Sequence, residues 1–340
     1  METGSSTKPV ILGLAGTVLR DDEHRFFSNV DPFGFILFQR NCETPNQVRA
    51  LCKSLRDCIG RPDAPILIDQ EGGRVQRLRE PNWRETPAVR VIGMIAETDL
   101  ERGRQAAFLH AQLIATQLID IGVTVDCAPC LDLTIPGAHE IIGDRSYGSD
   151  PALVRTLGAE ACRGFQSAGV TPVIKHLPGH GRAAVDSHHD LPVIETNIET
   201  LEVTDFAAFL DQPGNVWGMT GHLMIPAIDP DNCTTLSARS IEGIIRNSIG
   251  FDGVLMSDDL SMKALSGTLG ELTAGALAAG CDIALHCNGD MAEMQEVVEN
   301  CDYMSKATLQ RLTGNPPPTE TALSPEDISD ALNQLLAKHQ

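Results

Sequence analysis

The sequence predicts an α/β protein built as a single (β/α)8 TIM-like barrel with an extra C-terminal helix. Three observations favour this fold: short apolar runs alternate with longer helical patterns, eight such runs occur, and together they span most of the 340 residues. Alternating strands and helices indicate a parallel sheet. Eight units over roughly 250 to 300 residues are typical of a closed barrel rather than an open doubly wound sheet. The segment Gly13–Gly16 also lacks the glycine fingerprint of dinucleotide-binding sheets.

Eight short runs of apolar and β-branched residues predict the strands of the barrel. In chain order they are Val10–Ala15, Phe35–Phe38, Ile66–Asp69, Val123–Cys127, Pro172–Lys175, Val216–Thr220, Val254–Ser257 and Ile283–Leu285.

Helix boundary signals lie between several of these strands. The segment Thr44–Gln47 predicts a capping box with proline at the first helical position, and its apolar stripe ends at Gly60. A long helix is predicted from Asp99 to Ile119, and another begins at Ser149–Pro151 and runs to Phe165.

The C-terminal region differs in composition from the rest of the chain. Gly314–Pro318 predicts a rigid connector, and Ser324–Glu326 predicts the cap of a last amphipathic helix that extends to about Lys338. We interpret residues 1–340 as one domain, with the barrel at about 8–312 and the connector and helix at 313–340. The last helix is expected to pack on the barrel.

Charge and composition exclude several classes of partner. The net charge of −20 disfavours nucleic acid and anionic membrane surfaces. No stretch reaches the ~20 apolar residues of a membrane span. The first seven residues lack the features of a secretion signal, so a cytoplasmic location is expected. The ten cysteines are expected to be reduced, and the lone Cys127–Cys130 pair is interpreted as a buried strand end rather than a zinc or redox site.

Polar residues follow four of the predicted strands, and in this fold the carboxyl ends of the strands carry the active site. The segments are Asp69–Arg77, Lys175–His176, Thr220–His222 and Ser257–Asp259. One charged residue at a strand end is easily explained as a loop cap or a surface ion pair. Four such ends together favour a functional site.

The segment from Lys175 to Asp190 has the highest density of polar groups. A solvated surface loop is one interpretation and a zinc site is another, but Pro178 and Gly179 prevent a helix from placing His176 and His180 on one face. We favour a loop that carries Asp186 and His188. A carboxylate beside an imidazole orients the ring and raises its proton affinity, which gives an acid/base group near neutral pH.

Asp258 and Asp259 end an apolar run, where an unpaired buried carboxylate would be costly. Facing water or a cation such as Lys175, such a carboxylate stays ionised and could attack carbon. A helix N-cap for Leu260–Ala264 fits Asp259 at least as well as catalysis does. We therefore assign Asp258 to chemistry and Asp259 to structure.

These motifs together resemble the family 3 glycoside hydrolases. They are DQEGGRVQR at Asp69–Arg77, GDRSY at Gly143–Tyr147, KHLPGHG at Lys175–Gly181, DSH at Asp186–His188 and SDDLSM at Ser257–Met262. Within the family, the sequence is most similar to the bacterial cytoplasmic β-N-acetylglucosaminidases, or β-hexosaminidases, of cell-wall recycling. The resemblance covers about residues 13–287, and Leu177 stands where many relatives have phenylalanine.

The resemblance implies a retaining hydrolase that removes terminal β-linked N-acetylglucosamine from muropeptide fragments, such as N-acetylglucosaminyl-1,6-anhydro-N-acetylmuramic acid with or without stem peptide. It implies that Asp258 is the nucleophile, His188 the acid/base and Asp186 the group that orients His188. The residues implied to bind the sugar are Asp69, Arg77, Arg145, Lys175 and His176. It implies no metal or other cofactor, and by analogy a monomer whose one partner is its small sugar or muropeptide substrate.

Two other classes of function stay open at this point. Lys175 could form a Schiff base in an aldolase, although that chemistry needs a desolvated lysine, and Arg145 and His176 predict a polar site. A sugar-binding protein without activity would use Asp69 and Arg77. It would not need Asp258 together with the Asp186–His188 pair.

Overall fold

Eight parallel strands close into a barrel in the computed structural model, which describes residues 6–185, 187, 190–312 and 323–337. The strands are β1 Lys8–Leu12, β2 Pro32–Leu37, β3 Ile66–Ile68, β4 Gln70–Gly72, β5 Val75–Gln76, β6 Val125–Asp126, β7 Thr171–Leu177, β8 Trp217–Thr220, β9 Leu255–Asp259 and β10 Ile283–His286. β4 and β5 pair with each other as an antiparallel hairpin, and the other eight form the barrel. Each barrel strand pairs with the barrel strands before and after it in the chain, and β10 pairs with β1. The predicted barrel and its eight strands are confirmed.

Helices cover the outside of this barrel. They are α1 Asp21–Val30, α2 Pro45–Ile59, α3 Val89–Ala96, α4 Leu100–Asp120, α5 Pro151–Ser167, α6 Ile198–Val203, α7 Leu269–Ala279, α8 Met291–Glu299, α9 Lys306–Leu312 and α10 Pro325–Ala337, with a π-helix at Arg239–Ser248 between β8 and β9. Among the described residues, none of these helices combines the length and the apolar character needed to cross a bilayer.

The predicted helix caps are present. Side-chain oxygens of Thr44, Asp99 and Asp150 accept hydrogen bonds from the first turns of α2, α4 and α5. Gly60 ends α2 with a φ of +67°, a conformation that glycine adopts without strain. One detail differs from the predicted capping box, because the Gln47 side chain accepts from the backbone of Glu43 and not from that of Thr44.

The last helix packs on the outside of the barrel, as expected. α10 lies against α4 with Ile328 and Leu332 buried, and Arg102 of α4 donates to the carbonyl oxygen of Leu335. Ser324 caps α10 by accepting from the Asp327 N–H. The predicted connector at Gly314–Pro318 lies outside the described residues.

Strand alternation places three charged residues at one end of the barrel. Leu67, Val173 and Met256 belong to the hydrophobic cluster that fills its interior. Side chains two residues apart on a strand point to the same side. Two positions after Leu67, Val173 and Met256 come Asp69, Lys175 and Asp258, respectively. All three line one cavity at the carboxyl end of the barrel.

The cysteines are free thiols, as expected. All ten lie within the described residues and none forms a disulfide. Cys127 and Cys130 are buried beyond the end of β6, and burial raises the pKa of both thiols well above the usual value. Neither thiol is therefore activated for redox chemistry.

Candidate active site

A cavity of about 410 Å³ opens at the carboxyl end of the barrel. Six of the eight predicted site residues line it: Asp69, Arg77, Arg145, Lys175, His176 and Asp258. The other two, Asp186 and His188, lie outside the described residues. Ser187, which stands between them in the chain, is described and also lines the cavity.

Five residues of alternating charge, which we call the charge chain, form one wall of the cavity. Arg77 Nη2 lies 3.0 Å from Asp69 Oδ2, and Lys175 Nζ lies 2.8 Å from Asp69 Oδ1. Lys175 Nζ also lies 2.7 Å from Glu71 Oε1. Arg145 completes the chain with two hydrogen bonds of 2.8 Å to the Glu71 carboxylate. Three cations therefore share two carboxylates, and every member is fixed by at least one charge-assisted bond.

The charge chain determines the protonation state of Lys175. Burial alone would lower the pKa of this lysine, but Asp69 and Glu71 outweigh burial and raise it above its usual value. A Schiff-base lysine needs a neutral amine and a lowered pKa. The aldolase interpretation is therefore disfavoured, because Lys175 is held as a cation.

Glu71 is the member of the charge chain that sequence reasoning missed. It is buried, and burial would raise its pKa, but Arg145 and Lys175 lower the pKa to about 2. Its position is determined by the hairpin of β4 and β5, where Gln70 Oε1 accepts from the N–H groups of Arg77 and Leu78. The two glycines after Glu71 are a hairpin signal that could have predicted this turn.

Asp258 lies on β9 with one oxygen, Oδ1, accepting from the N–H of Asp259 at 2.8 Å. Burial would raise the pKa of Asp258, but nearby His222 and His176, with the N–H bond, hold it below the usual value. The carboxylate is therefore ionised at neutral pH and faces the cavity. These are the properties that a nucleophilic carboxylate requires.

Asp259 has a structural role, as expected, but the expected helix is wrong. Its Oδ1 accepts from the N–H groups of Ser261 and Cys287, and its Oδ2 accepts from the Ser261 hydroxyl. Residues 260–264 form turns rather than a helix. The reason is that Asp259 still belongs to β9 and ties the following turn to the end of β10.

His222 supports the backbone beside Asp258. Its Nε2 lies 3.0 Å from the carbonyl oxygen of Asp259, which can only accept, so this nitrogen carries the proton. Its Nδ1 lies at hydrogen-bond distance, 2.8 Å, from the Thr235 hydroxyl oxygen. The ring is fully buried. Sequence reasoning singled out Thr220–His222 as a strand end but assigned this histidine no role.

His176 is held from behind by Asp132, a residue that sequence reasoning did not identify. The His176 Nδ1 donates to Asp132 Oδ2 at 2.6 Å, and Cys130 Sγ donates to the same oxygen at 3.2 Å. These three groups are the one cluster among the described residues whose donor atoms, all within 4.8 Å of one another, could hold a metal ion. Hydrogen bonds within the cluster already account for its arrangement.

His180 belongs to the segment that follows β7 and lines the cavity. Its Nε2 is hydrogen-bonded to Ser187 Oγ at 3.2 Å, and burial lowers its pKa to about 4. Gly181 comes next, and a Cβ at this position would lie 2.3 Å from the carbonyl oxygen of Leu133. Only glycine permits this approach of the two backbone segments.

Comparisons with known proteins identify the family to which this fold belongs. The model of the glycosyl hydrolase family 3 N-terminal domain matches residues 16–313. A beta-hexosaminidase of Thiobacillus denitrificans is 37% identical over 93% of this chain and 89% of its own length. A crystal structure of NagZ from Neisseria gonorrhoeae is 29% identical with a TM-score of 0.83, covering 98% of this chain and 97% of that one. A family 3 beta-N-acetylglucosaminidase from Paenibacillus sp. FPU-7 is 33% identical with a TM-score of 0.79 over 97% of this chain, which spans 60% of that longer chain. The chain therefore belongs to glycosyl hydrolase family 3, and within it to the beta-hexosaminidases.

Proposed function

We propose that this protein removes non-reducing terminal β-linked N-acetylglucosamine with retention of configuration, through a covalent glycosyl-enzyme on Asp258. The observation that carries the proposal is the placement of the ionised Asp258 in the same cavity as the charge chain. The charge chain offers fixed donors and acceptors to sugar hydroxyls, while Asp258 offers a nucleophile. A protein that only binds sugar has no need for the second feature.

The proposed reaction has two steps. In the first, the Asp258 carboxylate attacks the anomeric carbon while His188 gives its proton to the departing glycosidic oxygen. In the second, His188 takes a proton from water, and the water oxygen attacks the anomeric carbon and releases Asp258. Asp186 orients the His188 ring and stabilises its cationic form. The pair Asp186 and His188 is assigned from the sequence motif.

The sugar-binding roles follow from the charge chain. Asp69 and Arg77, which flank the β4–β5 hairpin, offer oxygen and nitrogen atoms to the sugar. Arg145 offers nitrogen atoms from the turn at Gly143–Arg145, and Lys175 offers its amine from β7. The imidazole ring of His176 offers one further nitrogen to a sugar hydroxyl. Hydrogen bonds that fix several hydroxyls also position the anomeric carbon, and such positioning contributes strongly to catalysis.

The proposed substrates are muropeptide fragments whose N-acetylglucosamine is linked to 1,6-anhydro-N-acetylmuramic acid, with or without stem peptide. The similarity to beta-hexosaminidases and to NagZ supports hydrolysis of a terminal N-acetylhexosamine, and the resemblance of the sequence motifs to enzymes of cell-wall recycling suggests the rest of the substrate. We further propose a monomer that acts in the cytoplasm during cell-wall recycling, needs no cofactor, and has neither nucleic acid nor membrane as partner. A net charge of −20 supports the exclusion of polyanionic partners.

The decisive experiment traps the intermediate. The enzyme is incubated with a 5-fluoro-N-acetylglucosaminyl fluoride, digested, and examined by mass spectrometry, and we expect one glycosylated peptide modified at Asp258. Release of nitrophenol from p-nitrophenyl N-acetyl-β-glucosaminide is measured in parallel. An adduct on another residue would refute the role of Asp258. No adduct and no nitrophenol would favour the sugar-binding protein.

A further inference from the structure

Asp132 and His176 form a buried pair behind the wall of the cavity. Asp132 is 1% exposed and does not line the cavity, whereas His176 does. The His176 Nδ1 to Asp132 Oδ2 distance of 2.6 Å is short for a hydrogen bond between nitrogen and oxygen. Among the side chains that line the cavity, the ring of His176 is the one that Asp132 contacts through a side-chain hydrogen bond within the described residues.

The carboxylate of Asp132 is held in place by backbone donors. Its Oδ1 accepts from the N–H of His180 at 2.6 Å and from that of His176 at 3.3 Å. Burial would raise the pKa of Asp132, but His176 and His180 outweigh burial and hold the pKa below its usual value. The carboxylate is therefore a permanent acceptor with a fixed orientation.

We propose that Asp132 is a positioning residue that keeps the proton of His176 on Nδ1 and so presents Nε2 to a sugar hydroxyl in the cavity. This inference rests on the proposed function, because it assigns how one of the sugar-binding groups is prepared. No described residue forms a hydrogen bond with His176 Nε2, whereas Nδ1 is committed to Asp132. The ring thus presents one defined nitrogen to the substrate.

The variant Asp132→Asn separates this role from a merely structural one. The two backbone N–H groups that face Oδ1 need an oxygen acceptor, so the new amide should keep its oxygen there. Its NH2 group then replaces Oδ2 and faces His176 Nδ1. Two donors cannot face each other, so the His176 proton should move to Nε2. The backbone contacts to Oδ1 stay while the tautomer reverses, and the longer contacts of Oδ2 with the His176 N–H and Cys130 Sγ are lost.

A double-mutant cycle tests the coupling. We expect Asp132→Asn to lower kcat/KM for p-nitrophenyl N-acetyl-β-glucosaminide by about tenfold or more. Losses of this size or larger occur when a functional histidine has the wrong tautomer or loses the carboxylate that orients it. In the His176→Ala background the same change should lower kcat/KM by less than about threefold, since the group through which Asp132 acts is absent. An equal loss in both backgrounds would overturn the inference.

The tautomer is measured directly in the full chain by NMR on protein with 15N-labelled histidine. The His176 signals are assigned by their loss in His176→Ala. We expect Nδ1 of His176 to be protonated in the wild type and unprotonated in Asp132→Asn. A protonated Nδ1 in both would overturn the inference whatever the kinetics show.

Asp282→Asn is the matched control. Asp282 is another buried carboxylate, held by Arg246 and Arg311 and located immediately before β10, away from the cavity. This variant should lower stability without changing the His176 tautomer. If the wild-type protein cleaved no aryl glycoside, the proposed function would be refuted. The NMR experiment would still show whether Asp132 keeps the proton of His176 on Nδ1.

Discussion

Glu71 shows how closely single side chains in this site depend on one another. Its two oxygens bind Arg145 and Lys175, and all three side chains are largely buried. Removing one partner from a buried ion pair leaves the other charge without compensation. The charge chain therefore contributes to folding as well as to binding.

For Glu71→Gln we expect the free energy of unfolding to fall by roughly 3 kcal/mol, because buried Arg145 loses its carboxylate partner and Lys175 keeps only Asp69. Activity should fall as well, since Arg145 and Lys175 lose their fixed positions. Urea denaturation and nitrophenol release measure the two effects. The control is Asp57→Asn in the exposed pair Lys53–Asp57, which should change stability little. Equal urea midpoints for Glu71→Gln and wild type would contradict the expectation.

The neighbours Asp258 and Asp259 are expected to respond in opposite ways. Asp258→Asn should lower kcat by at least about a thousandfold, because the nucleophile is lost, with little change in melting temperature. Asp259→Ala should lower stability by about 1 kcal/mol, because it deprives Ser261 and Cys287 of a partly buried acceptor. Kinetics and thermal melts on both variants check this. A strongly destabilised Asp258→Asn would argue for a structural carboxylate at both positions.

Among the secondary-structure elements, the strands and helix caps follow from local patterns, whereas the connections do not. The hairpin of β4 and β5 was not predicted, and the turns at residues 260–264 were expected to be helical. Both connections are determined by contacts with other loops. Asp259, for example, bonds to the N–H of Cys287, beyond a whole helix and strand.

The connection after β7 depends on Gly181. A Cβ here would lie 2.3 Å from the Leu133 carbonyl oxygen, a backbone atom that cannot move aside, so Gly181→Ala should displace the segment that leads to Ser187. We expect kcat/KM to fall by about tenfold or more, since a displacement of about 1 Å in a catalytic group has large effects. Gly243→Ala is the control, because nothing lies within 4 Å of a Cβ there. Full activity in Gly181→Ala would show that the loop tolerates the change.

For the molecule as a whole, charge is distributed unevenly. The chain carries −20, yet the described lining of the cavity contains five arginine and lysine side chains against four carboxylates. Three of the five cations belong to the charge chain, where they are paired with Asp69 and Glu71. The cavity is therefore polar rather than strongly basic.

Stability should decline in mild acid because of two buried histidines. Burial lowers the pKa of His110 and of His180 to about 4 from 6.5. As pH falls from about 6.5 to 4, the unfolded chain binds protons that the native state does not, and the free energy of unfolding falls. Below this range Glu71, with a pKa of about 2 against 4.5, adds a further loss.

His110→Gln should remove up to about 3 kcal/mol of that decline, because glutamine keeps a donor for the Pro87 carbonyl oxygen but does not titrate. Urea unfolding at pH 6.5 and at pH values down to about 4 measures it. His24→Gln, at an exposed position, is the control. It should leave the dependence of the free energy of unfolding on pH unchanged. If the free energy of unfolding of His110→Gln fell with pH as steeply as that of the wild type, His110 would not be the cause of the decline.

Local sequence patterns were sufficient for the eight strands, the capped helices and the direction in which Asp69, Lys175 and Asp258 point. Periodicity and capping act over a few residues, and strand alternation follows from them. The assignments of Asp186 and His188 rest on motif alone and stay predictions.

Contacts between residues that are far apart in the sequence were visible only in the tertiary structure. Glu71 meets Arg145 across 74 positions, and Asp132 meets His176 across 44. No local pattern encodes such pairs, because they depend on which loops converge above the barrel. The physical reason is that a buried charge is stable only beside its partner, and the partner is supplied by the closure of the barrel.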